Sequence, residues 1–223
     1  LQKPDNGSVI LEDKDITSEE VVSKMRDILE TMKSSAREAR EREVYSISGL
    51  IGGDAYKMQN YLKSGKSLTG DTMVLAMAMA LSSSEVNASM GKIVACPTAG
   101  SCGILPAALL SAGERLNASD DELIKGLFAS AAIGMIIGRN ATFSGAEGGC
   151  QAECGSASAM ASAAIVELMG GTPEMALHAG AIIFKNILGL VCDPVAGLVE
   201  IPCAKRNASG VISALCTADM VMA

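Results

Sequence analysis

The segment Val191-Cys192-Asp193-Pro194-Val195-Ala196-Gly197-Leu198-Val199-Glu200-Ile201-Pro202-Cys203-Ala204-Lys205-Arg206-Asn207 constrains the chain more than any other. Its two cysteines are eleven positions apart. On one straight helix they would stand about 16 Å apart, at roughly 1.5 Å of rise per residue, too far to share one small metal centre. Pro194, Gly197 and Pro202 argue against a continuous helix, because proline removes a donor and restricts the residue before it. The segment therefore reads as a loop that curls and brings both sulfurs to one point. A third cysteine, Cys150, lies in a second glycine-rich turn, Gly145-Ala146-Glu147-Gly148-Gly149-Cys150-Gln151-Ala152-Glu153. Three cysteines at loop or helix-entry positions suit a metal site with one vacant position. Buried structural thiols are the plainer alternative, and spacing does not decide between them.

Around these turns the pattern is helical. Leu1–Ile16 reads as a flexible lead-in. Thr17-Ser18-Glu19-Glu20 fits a capping box, and Val22, Met25, Leu29, Met32, Ala36 and Ala39 follow at helical spacing. The charged stretch from Arg37 to Glu43 reads as a solvated helix face. A second helix opens at Gly52-Gly53-Asp54 and ends at Ser64-Gly65. The nearby lysines Lys57, Lys63 and Lys66 lack the G-x-x-x-x-G-K-[ST] context of a phosphate loop, so they read as surface. A third helix covers Thr72–Ser82, its methionines filling the core. Ile104–Ala112 is helical with Pro106 in the first turn. Ser119-Asp120-Asp121-Glu122 is a second capping box, opening an apolar helix through Ile137. Further helices are predicted over Ala152–Met169, from Thr172-Pro173 to about Leu188, and over Ala208–Met222. No stretch alternates strongly with period two, and no repeat or linker divides the chain. The expected fold is all-α, a single multi-helix domain over 17–223 with its metal site on glycine- and proline-rich loops between helices.

Composition narrows the partners. The net charge of −7 and the pI near 4.8 argue against nucleic acid as a partner, since backbone binding needs clustered Lys and Arg. The mean hydropathy of +0.32 raises the question of a membrane. A span needs about 20 mainly apolar residues, and the runs Gly126–Gly138 and Cys154–Val166 are shorter and end in charges, so they read as buried helices. Aromatics make up 3% and tryptophan is absent, so Ala, Met, Leu and Ile must fill the core, which favours close helix packing. The seven cysteines are an odd number, and Leu1–Asp15 carries no export pattern. Together these favour a reducing cytoplasm, where clustered cysteine more often means metal or catalysis than disulfide.

The run Pro97-Thr98-Ala99-Gly100-Ser101-Cys102-Gly103 feeds a helix N-terminus. Small and hydroxyl side chains there offer donors to a carboxylate, and a plain helix cap explains them as well. Lys205, Arg206 and Asn207 could hold a substrate carboxylate or pair with nearby acids. Cys150 precedes a helix whose dipole should lower its thiol pKa. Cys154, Cys96, Cys102 and Cys216 read as structural. His178, the one histidine, lies mid-helix among apolar neighbours and reads as a packed or half-exposed side chain, leaving no evident base.

The segments CDPVAGLVEIPCAKRNA, SGAEGGCQAE, CPTAGSCGILPA and GGDAYKMQNYLKSGKSL closely resemble the α subunit of bacterial iron–sulfur L-serine dehydratases, from about Gly52 to the last residue. The resemblance implies a catalytic domain whose family members continue several tens of residues past Ala223. It implies a [4Fe-4S] cluster on Cys150, Cys192 and Cys203, with no pyridoxal phosphate and with one open iron acting as a Lewis acid on the serine hydroxyl. The implied reaction is α,β-elimination of L-serine to pyruvate and ammonia. Thr98, Gly100, Ser101, Lys205, Arg206 and Asn207 become the expected substrate contacts, and the base is expected on a β subunit. An oligomer without nucleic-acid or membrane partners is expected. The alternatives are a related β-elimination such as cysteine desulfidation, or a non-enzymatic iron–sulfur or zinc protein.

Overall fold

The computed structural model describes the backbone of Ile10–Leu11 and Lys14–Asp15 and all of residues 17–223. Those first four residues form a short antiparallel hairpin, β1 (Ile10–Leu11) and β2 (Lys14–Asp15). The rest of the expected lead-in lies outside the described residues. Everything after it is helical: α1 (Ser18–Glu41), α2 (Asp54–Lys63), α3 (Asp71–Ala88), a 3₁₀ turn at Ala99–Ser101, α4 (Ile104–Leu116), α5 (Asp120–Asn140), α6 (Gly145–Gly148), α7 (Cys150–Leu168), α8 (Pro173–Ile187) and α9 (Ile201–Met222). The fold is all-α, as the sequence predicts.

The predicted starts hold where the signal is local. Both capping boxes form: the Glu20 N–H donates to Thr17 Oγ1 at 3.2 Å, and the Ser119 N–H to Glu122 Oε2 at 2.7 Å. Thr172 caps α8 with Pro173 in its first turn. Two helices are longer than predicted. α3 continues to Ala88 because Ser82, Ser83 and Ser84 are buried between neighbours instead of ending the helix. α9 begins at Ile201, not near Ala208, so Cys203, Lys205, Arg206 and Asn207 stand on a helix and not in the loop. The reason is Pro202, which sits in the first helical turn, where its missing N–H has no helical acceptor to lose.

α3, α4 and α7 form the interior, with buried side chains around almost their whole circumference. α5, α8 and α9 pack on α7, while α1, α2 and α9 pack on α3. Between Cys154 and Ala164, α7 is built from Ala, Ser and Gly apart from Met160, and such small side chains let neighbouring axes approach closely. The main core joins Leu29, Leu105, Leu109, Leu127, Ile183 and Val211, and a smaller one surrounds Ile51, Ala55, Val86 and Ala204.

Glu85 shows how α2 is held. Gly53 offers no capping side chain, so Glu85 of α3 supplies the cap from another helix. Its Oε1 accepts the N–H groups of Asp54 at 2.7 Å and Ala55 at 3.1 Å. Oε2 is buried without a hydrogen-bond partner among the described residues. Burial raises the Glu85 carboxyl to about 7, against the two N–H groups and Lys205 that lower it. Folding therefore favours the protonated acid. This contribution is fully present below the unfolded value of 4.5 and is lost as pH rises through about 7. It amounts to at most about 3 kcal/mol. Between pH 5 and pH 7.5 the wild-type Tm should fall by about 5–10 °C relative to Glu85→Gln, which is neutral throughout. Thermal melts of both proteins check this; parallel pH dependences would disprove the linkage.

Candidate active site

Three segments converge where α7 and α9 begin. Gly149, with φ of +74°, turns the chain into α7, and a Cβ there would lie 2.9 Å from the Leu190 carbonyl oxygen. The Gln151 N–H donates to Leu190 O at 2.8 Å, and Gln151 Oε1 accepts the Gly189 N–H at 2.8 Å. The entry to α7 is thereby fastened to the loop that carries Cys192. That loop reverses at Ala196-Gly197, both with positive φ, and Val195 and Leu198 exchange hydrogen bonds across the turn.

Arg206 joins the cysteine segments. Its Nη1 donates to Cys150 Sγ at 3.0 Å, and its Nη2 pairs with Asp193 at 2.6 Å, the residue after Cys192. Cys203 lies three residues before Arg206 on α9. Cys150 is buried, Cys203 half-buried and Cys192 exposed. Burial pushes the Cys150 thiol up, with Arg206 opposing. This reverses the lowering expected at the head of α7. Cys203 is pushed up to about 11, first by burial and then by Cys150, Glu153 and Cys192, with Arg206 again opposing. Among the described residues no three His, Cys, Asp or Glu side chains meet closely enough to hold a single metal ion. A cluster's thiolates bind different irons and stand wider apart than the ligands of one ion. The donor set itself, three soft sulfurs from separate segments beside a cation, is the chemistry such a cluster needs.

The Pro97–Gly103 loop is tied into the same site. Asn207 is fully buried; its Nδ2 donates to Gly100 O and Cys203 O, both at 2.7 Å, and its Oδ1 accepts the Gly103 N–H at 2.8 Å. Ser101 is also fully buried, 3.0 Å from Thr98 Oγ1. Thr98 and Gly100 remain half-buried. Lys205 turns the other way, forming an ion pair with Asp54 of α2. Of the two readings for the basic pair, ion pairing with acids is the arrangement present. Cys154, Cys96 and Cys102 are buried, and Cys216 is exposed on α9. His178, expected packed or half-exposed, is exposed on α8, because its helical face points away from α7.

Two features escaped the sequence reading. One is the short helix α6, which folds the chain back toward α7. The other is Glu153, whose Oε1 accepts the Thr98 hydroxyl and whose charge reaches Cys150 and Cys203. Its position three after Cys150 was the available signal. A cavity of about 1110 Å³ between α1, α2 and α4 contains none of these groups.

The chain is an all-α protein with three thiols and a hydroxyl-bearing loop assembled at the ends of its buried helices. It belongs to the serine dehydratase alpha chain family, whose family model matches residues 7–223. It is 54% identical over 207 residues to the L-serine dehydratase, alpha chain, of Peptoniphilus asaccharolyticus, covering 93% of this chain and 71% of the relative. It is 51% identical to the probable L-serine dehydratase, alpha chain, of Bacillus subtilis strain 168, covering 93% of this chain and 69% of the relative. The L-serine dehydratase of Streptomyces coelicolor matches at 44% identity over 69% of this chain but 35% of its own length.

Proposed function

We propose that this chain is the cluster-bearing half of an L-serine ammonia-lyase. It eliminates water from L-serine to give aminoacrylate, which tautomerises and hydrolyses to pyruvate and ammonia. The observation that carries the reading is the Arg206–Asn207 junction, where one helical turn connects Cys150, the Cys192 loop, Cys203 and the Pro97–Gly103 loop. These contacts support reading the thiols and the hydroxyl loop as one site.

Cys150, Cys192 and Cys203 would hold a [4Fe-4S] cluster. When bound, it would supply a Lewis acid for the departing serine hydroxyl, worth several kcal/mol of transition-state stabilisation. The remaining work falls to the polypeptide. Thr98 and Gly100 present a hydroxyl and backbone to the substrate. Arg206 keeps positive charge beside the thiols, and by exchanging Asp193 for the substrate it would meet the substrate carboxylate. Ser101 and Asn207 hold the loop in position, and Lys205 anchors α9 on α2 through Asp54.

The Cα proton needs a base that the described residues do not evidently offer, so we assign it to a partner subunit. The exposed apolar side chains beside the site fit such a partner: Ile47, Leu50, Val191, Val195, Leu198 and Val199. Ser48 bonds Glu200 at 2.7 Å, which brings the first two next to the rest. No helix among the described residues is long and apolar enough to cross a membrane, and a reducing cytoplasm suits thiols kept for metal.

Anaerobic serine turnover, with and without a co-expressed partner, tests the proposal. Pyruvate should form only when both are present, and His178→Gln should stay within a few-fold of wild type. Loss of a true general base costs about 10²–10⁴-fold. A drop of that size in the His178 variant, or full turnover by this chain alone, would return the base to this chain.

A further inference from the structure

Glu153 is a carboxylate that the proposed elimination has not used. It occupies the first turn of α7, three residues after Cys150, and its carboxylate spans the gap between two loops. On one side Oε1 accepts the Thr98 hydroxyl. A Cβ at Gly100 would lie 2.7 Å from Oε1, and a Cβ at Gly145 would lie 2.9 Å from Oε2. Both positions are glycine, so the carboxylate lies against bare backbone on either side. Among the described residues Thr98 is its one hydrogen-bond donor, and no Lys or Arg stands within ion-pair distance, although Arg206 is close enough to bond Cys150. An ionised carboxylate can accept at about four lone-pair positions, so most of its capacity is unspent.

An acid in the first turn of a helix is favoured by the helix dipole alone. That does not explain why the carboxylate faces the Pro97–Gly103 loop, with glycines clearing its way, at the point where the thiol segments meet. A zwitterionic amino acid lying with its carboxylate toward Arg206 has an ammonium to place, and that group carries three donors and no acceptor.

We infer that Glu153, with Thr98 orienting it, binds the α-ammonium group of the substrate and so selects amino acids over hydroxy acids; this rests on the serine-elimination reading above. Glu153 is a binding residue here and takes no part in proton transfer.

The test compares wild type with Glu153→Gln in the complex of this chain with its partner, after anaerobic cluster reconstitution. The variant is isosteric and still accepts the Thr98 hydroxyl; Glu153→Asp, which keeps the charge at shorter reach, is the second variant. The KM for L-serine should rise about 10- to 100-fold in Glu153→Gln, the range for losing a charge-assisted hydrogen bond, with kcat changed by less than about fivefold. Glu153→Asp should fall between the two. Inhibition by L-alanine, which keeps the ammonium, should weaken by the same factor as KM. Inhibition by L-lactate, with hydroxyl in its place, should be unchanged. Equal weakening of both inhibitors would mean a distorted site and overturn the inference, as would an unchanged KM. A kcat loss above 10²-fold at constant KM would make Glu153 a proton-transfer group and overturn it too. Absence of serine turnover in the wild-type complex would instead remove the elimination reading, and this inference with it.

Discussion

Cys192→Ala should bind no more than about a tenth of the iron and acid-labile sulfide of the wild-type chain, because each cubane ligand holds its own iron. This cysteine is the sharpest probe of the proposed cluster. It is exposed on the Leu188–Glu200 loop, so its replacement removes no core packing. Cys150→Ala and Cys203→Ala should fail equally, but Cys150 is buried at the head of α7 and its loss also disturbs the Arg206 contact. Cys154→Ala and Cys216→Ala should retain the cluster. Iron and sulfide per chain, with visible absorbance after anaerobic reconstitution, measure this directly. Wild-type loading in Cys192→Ala would remove the ligand assignment; zinc without sulfide would remove the cluster itself.

The second large effect is expected at Asn207. Its side chain satisfies the Gly103 N–H and the carbonyls of Gly100 and Cys203 from a fully buried position. A buried polar group left without its partner costs about 1–3 kcal/mol. Asn207→Leu strands the Gly103 N–H and the Gly100 carbonyl, the Cys203 carbonyl keeping its helical partner, and should lower stability by about 3 kcal/mol, a large share of the roughly 5–15 kcal/mol that holds a domain together. The Tm should fall by about 6–12 °C. Asn207→Asp keeps the acceptor for Gly103 but turns a carboxylate oxygen toward two carbonyls, so it should be at least as damaging. Serine turnover should be lost in both variants at temperatures where the circular dichroism signal is still native, because the hydroxyl loop is no longer held against α9. A Tm within about 2 °C of wild type for Asn207→Leu would mean that this junction does not hold the two segments together.

What could be read along the chain and what could not divide by the range of the interaction. The Thr17 and Ser119 capping boxes and the Thr172-Pro173 start were legible because a helix N-terminus is decided by residues three apart. The all-α class was legible because an apolar set dominated by Ala, Met, Leu and Ile, without two-residue alternation, can bury itself only as helices. The three cysteines and the Pro97–Gly103 loop could be named as candidates by residue type and by resemblance to a family. The start of α9 was misread because Pro202 is a breaker in mid-helix but acceptable in a first turn, and local sequence does not say which it will be. Glu85 caps a helix 31 positions away, Glu153 meets Thr98 55 positions away, and Asn207 reaches Gly100 across 107. No periodicity or motif carries those pairings. The sequence alone determined the helices and the inventory of reactive groups. Only the tertiary packing of α3, α4, α7 and α9 decided which of those groups share a site, because buried polar atoms must find partners wherever the core brings them, however distant along the chain.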